Sequence, residues 1–136
     1  MKIFASILVA VALVISASLA SYAQDKQITI TGSQKWSGYL CDAACGASFA
    51  KMPAKAGLAK AMAHPKSCST EKKCAAAGYG VYSDGKFYPF DKAGNDKAAV
   101  LFASTKKETG ELVEVTGAMK DKTISVTTLK ETTGKN

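Results

Sequence analysis

The chain has 136 residues, 47 % of them apolar, with 18 basic and 11 acidic side chains and a formal charge of +7. That is enough apolar material for one domain with one modest core, and no linker or composition shift divides it. Every basic residue is lysine, and acids are interspersed among them. The planar two-point recognition of phosphate or guanine that arginine provides is missing and the charge is not clustered, which excludes a specific nucleic-acid surface.

Residues 1–23 read as a secretory signal peptide: Lys2, the apolar run IFASILVAVALVISASLA, then small residues at Ser21 and Ala23 in the −3 and −1 positions. The run approaches the roughly 20 apolar residues of a membrane span. The small-residue site and the lone flanking lysine favour cleavage after Ala23. Residues 24–136 then form a single exported domain, secreted or periplasmic, without a membrane span.

After the leader, QITITGSQKWSGYL alternates, with Ile28 and Ile30 opposite Thr29 and Thr31. Gly32 and Gly38 bend one long first strand, with Trp36, Gly38 and Leu40 on one face and Tyr39 on the other. A cysteine-rich insert over about 41–78 follows. It carries an Ala-rich helix ending at His64-Pro65 and a second short helix capped by Ser69 and stopped by Gly78. Its large apolar residues are few, chiefly Phe49, Met52, Leu58 and Met62, so it buries little surface by itself.

Asp84-Gly85 between aromatic runs predicts a two-residue hairpin, and Pro89 places its second strand at an edge. GNDKAAVLFAST predicts a short helix capped by Asn95, with Ala98, Leu101 and Phe102 on one face. A second hairpin follows across Lys120-Asp121-Lys122, pairing Val113 and Val115 with Ile124 and Val126. The expected fold is mostly β: a five-stranded OB-like barrel with a disulfide-stapled helical insert between strands 1 and 2 and a short helix between strands 3 and 4.

Asp42-Ala43-Ala44-Cys45-Gly46, then His64, Cys68 and Cys74, then YGVYSDGKFYPFD, together resemble a group of small exported bacterial proteins. Those proteins carry a D-x-x-C-G motif, paired cysteines and an OB-like sheet. The resemblance spans nearly all of residues 24–136 and implies fold and export, not a mechanism.

Four cysteines in an exported domain point first to disulfides. If the two cysteine segments run antiparallel, nested pairing follows, Cys41 with Cys74 and Cys45 with Cys68. The outer bridge is then worth about 3–4 kcal/mol by loop-closure entropy. The alternative is a metal site, in which Cys41, Cys45, Cys68, Cys74 and His64 offer ligands for Zn²⁺ or copper. Against it, zinc knuckle pairs are usually spaced by two to four residues, and of the pairs here, C-x3-C and C-x5-C, the second is wider. No C-x-x-C exists for thiol–disulfide exchange.

His64 reads as a surface residue ending a helix, and Asp42 as the cap of the helix after strand 1. With one histidine and no G-x-S-x-G, nothing assembles a nucleophilic triad, and the expectation is a non-enzyme without a cofactor. The aromatics supply a binding hint: Trp36, Tyr82, Tyr88 and Phe90 are the candidate face for an envelope glycan, peptide or protein. A purely structural envelope protein is the remaining reading.

Overall fold

The computed structural model describes residues 32–134. The expected signal peptide and the Ile28–Ile30 part of strand 1 lie outside the described residues. In chain order the elements are β1 (Gln34–Asp42), α1 (Ala43–Phe49), α2 (Ala54–Met62), α3 (Lys66–Thr70), α4 (Lys72–Ala77), β2 (Tyr79–Ser83), β3 (Lys86–Pro89), α5 (Lys92–Ser104), β4 (Leu112–Lys120) and β5 (Thr123–Glu131). None of the described helices is long and apolar enough to cross a membrane.

The five strands form one antiparallel sheet in the order β3-β2-β1-β4-β5. Strand number and the positions of the helical segments agree with the sequence reading; barrel closure does not. β3 has only four residues and ends in Pro89, which has no N–H to offer a partner. Beyond it the chain touches β5 through a single parallel bridge, Phe90 to Ile124, with the Asp91 N–H on the Ile124 carbonyl at 3.0 Å. There Asp91 starts α5, accepting the Gly94 N–H at 2.9 Å, so the edges diverge and the sheet stays open. Asp91 therefore does the capping expected of Asn95, whose Oδ1 accepts the Tyr79 N–H at 2.7 Å instead.

Both hairpins form. Asp84 and Gly85 take φ values of 50° and 74°, the pair of left-handed residues that matches strand twist in a two-residue turn. The second turn is Asp121-Lys122, with φ of 48° and 67°, while Lys120 still pairs with Thr123.

Alternation along the strands divides the apolar residues into two clusters. Leu40, Tyr79, Val81, Val113, Val115, Ile124 and Val126 meet Ala98 and Phe102 of α5 in the main core. On the opposite face Cys41 and Tyr82 meet Phe49 of α1 and Ala61 of α2, with Tyr39 and Phe87 beside them. The second cluster is thin. Leu58 and Met62, two of the four large apolar residues of the insert, are 44 % and 50 % exposed.

Candidate functional site

At the end of β1 the chain carries Asp42 on the Leu40 face, directly opposite Tyr79 of β2. Asp42 is fully buried. As expected it caps α1: its extended backbone lets Oδ1 accept the Cys45 N–H at 2.9 Å, one turn into the helix. The cap also fixes Cys45 beside the carboxylate.

His64 departs from expectation. It is 8 % exposed rather than a surface residue, and its Nε2 donates to Asp42 Oδ2 at 2.9 Å. The ring stands edge-on to Phe49, centroids 5.4 Å apart. Its backbone is bolted to a remote loop. Gly110 N–H donates to the His64 carbonyl at 3.2 Å, Lys66 N–H donates to the Glu108 carbonyl at 2.8 Å, and Pro65 bridges Thr109.

Ser69 is not a cap either. It lies buried within α3, its Oγ donating a long 3.5 Å bond to Asp42 Oδ2 and its carbonyl accepting from the Tyr79 hydroxyl at 3.2 Å. Cys68, one residue earlier, is thereby brought to the same place. Asp42, Cys45, His64 and Cys68 each offer a donor atom, and these atoms lie within 4.8 Å of one another. The edges of a tetrahedron around zinc are about 3.3–3.8 Å for bond lengths of about 2.0–2.3 Å, so the group needs only a modest contraction to hold an ion.

Gly46 sets the spacing. A side-chain carbon there would collide with the ring of Phe87, so α1 rests flat on that ring only because the residue is glycine. The Asp-x-x-Cys-Gly stretch thus supplies a cap, a sulfur donor and the close approach that positions it.

All four cysteines are free thiols in the structure. Cys45 and Cys68, the expected inner pair, do converge. The expected outer pair, Cys41 with Cys74, does not. Strand alternation turns Cys41 into the Phe49–Tyr82 cluster, where its Sγ faces the Tyr39 carbonyl, while Cys74 of α4 is a neighbour of Cys68. Burial first, then the Asp42 carboxylate and neighbouring thiols, pushes both Cys41 and Cys45 up to about 12. Cys74 is raised for the same reasons, burial foremost. Thiols held protonated are poor nucleophiles. A divalent cation among them would supply the charge their ionisation needs.

The aromatic candidates do not form one face. In the β2–β3 register Tyr82 stands opposite Phe87 and Tyr88 opposite Val81, so the two tyrosines occupy opposite sides of the sheet. Tyr82 and Phe90 are buried in separate clusters. Trp36 and Tyr88 remain half-buried, ring centroids 6.3 Å apart.

The sequence reading missed Asp42 as a member of the cluster, and Ser69 and Tyr79 as its supports. The available signal was an acid one helical turn before a cysteine, together with a histidine four residues before another. No family model, curated protein or solved structure matches the chain.

Proposed function

We propose that this chain is a non-catalytic, exported metal-binding domain whose site takes a thiophilic transition-metal ion, with Zn²⁺ the best fit. One observation carries the reading. Two sulfurs, an imidazole and a carboxylate from β1, α1, the α2–α3 junction and α3 converge within 4.8 Å around a fully buried carboxylate. Burying a charge there is costly unless it is paired. Mixed nitrogen and sulfur donors suit zinc, and four protein donors leave no open position for a substrate, which favours a structural or carrier role over catalysis.

The test is native mass spectrometry of protein purified from the exported fraction without reductant or added metal. The expected species carries one metal ion, lost in acid, and four alkylatable thiols. Metal-free protein whose mass rises on reduction would overturn the reading in favour of disulfides.

The aromatic-module reading keeps one specific support. Tyr88 and Phe87, with Met119, line an open cleft flanked by Lys86 and Lys122, and Trp36 stands next to Tyr88. Such a surface suits an anionic glycan. The fluorescence of Trp36, the chain's single tryptophan, should then quench on titration with an acidic oligosaccharide.

A further inference from the structure

The sheet ends on one side at β5, and the two halves of that edge differ. Over 124–126 the chain covers its own edge: the Asp91 N–H donates to the Ile124 carbonyl at 3.0 Å, and Asp91 Oδ1 accepts the Val126 N–H at 3.3 Å. Thr127 is the extra residue of a bulge, since Gly117 pairs with Val126 and Thr116 with Thr128. Beyond the bulge the Thr132 N–H donates inward, to the Leu112 carbonyl at 2.8 Å. Backbone groups alternate sides along an antiparallel strand, so those of Glu131, Leu129 and Thr127 point away from β4. Among the described residues none of these three makes a main-chain bond outside the ladder.

The open half of the edge also forms one wall of a groove, with Val100 and Leu101 of α5 on the other. Val100 is 69 % exposed, more than any other large apolar side chain described. Leu101 and Leu129 are only partly buried against the main core. At the opposite edge of the sheet β3 is four residues long and ends in Pro89, whereas β5 has nine residues and no proline. A long edge with free backbone groups and apolar surface beside it is a template for another strand.

We propose that the strand added there is β5 of a second copy, paired antiparallel about a two-fold axis perpendicular to the sheet, with Leu129 against the partner's Leu129. Two five-stranded sheets then become one of ten strands. Sequence and charge favour this occupant. In that register Thr127 faces the partner's Glu131 and Thr128 faces the partner's Lys130, so no like charges oppose each other. The axis sets both α5 helices on one side of the sheet and closes Val100, Leu101 and Leu129 of each copy into one apolar strip. The charges lining the groove are Asp96, Lys97 and Glu131, in a chain of formal charge +7. Copies that repel over most of their surface thus meet on a face that does not share the positive charge.

Sedimentation equilibrium of the purified exported protein tests this, whatever its metal content. The expected mass is that of two chains, falling toward one on dilution. Val100→Asp should weaken association about tenfold or more, because it places a charge in the closed strip. Leu58→Asp, on α2 at the other face of the sheet, should leave association unchanged. Hydrogen exchange identifies the surface: the Leu129 and Glu131 amides should be protected at high concentration and exchange fast on dilution. A monomer at every concentration overturns the inference, whether those amides are open or held by some other chain. A dimer in which they stay open, or which Val100→Asp leaves equally tight, overturns it too. Should Val100→Asp fail to fold, the concentration dependence of exchange in the unsubstituted protein decides.

Discussion

Between β3 and β4 the chain makes one helix of 13 residues, α5, which sets Ala98 and Phe102 into a core of strand side chains. Between β1 and β2 it makes four shorter helices, none above nine residues, which gather around Asp42. Isolated helices of that length are marginal in water, so the insert depends on what it packs against. α5 is held by apolar area; the insert is held by a buried carboxylate with three donors and by the small Phe49–Tyr82 cluster. On the metal-binding proposal, the insert is the part that an ion would stabilise.

The most severe way to break this contrast is Phe102→Ala. Removing a buried aromatic ring costs about 3–5 kcal/mol, and denaturant unfolding should show the loss for the whole domain. Asp42→Ala should cost about 2–3 kcal/mol, from the lost cap and the stranded His64 and Ser69 donors. Its signature differs: hydrogen exchange should accelerate across 43–77 while β4 and β5 stay protected. Equal acceleration in both regions would erase the distinction between them.

Asp91→Asn sharpens the comparison from the other side. Burial works against ionisation of Asp91, but the N–H groups of Gly94 and Val126, the Ser125 hydroxyl and Lys97 outweigh it and hold its carboxyl below the usual range. A folded pKa below the unfolded value of about 3.9 means the stabilisation is complete above that pH and fades as pH falls through the folded value. The variant should lose about 1 kcal/mol at neutral pH and show a flatter acid limb in thermal melts. A limb as steep as before would assign acid sensitivity to other carboxylates.

The strands and hairpins were legible because period-two alternation and Asp84-Gly85 are local signals. Val113, Val115, Ile124 and Val126 went to the core as their spacing requires. Barrel closure was not legible, since it depends on how far β3 runs beyond Pro89, and α5 begins there instead. The aromatic face failed for a countable reason: across a two-residue turn, residues of equal parity land on opposite sides of the sheet, so Tyr82 and Tyr88 part company. The metal-ligand candidates Cys45, Cys68 and His64 were visible as residue types. The approach of Cys45 to Cys68 followed from the nested pairing; that of His64 to Asp42 did not, because it depends on long-range bonds such as Gly110 N–H to the His64 carbonyl that no local pattern announces.

That last tether bears on the order of assembly. Every donor of the cluster lies within residues 42–68, yet the clamp on His64 comes from residues 108–110. A polypeptide delivered amino end first therefore presents the whole set of donors before the segment that seats the imidazole has arrived. On the metal-binding proposal, capture of an ion in the finished geometry waits until α5 is complete and the start of β4 is in place.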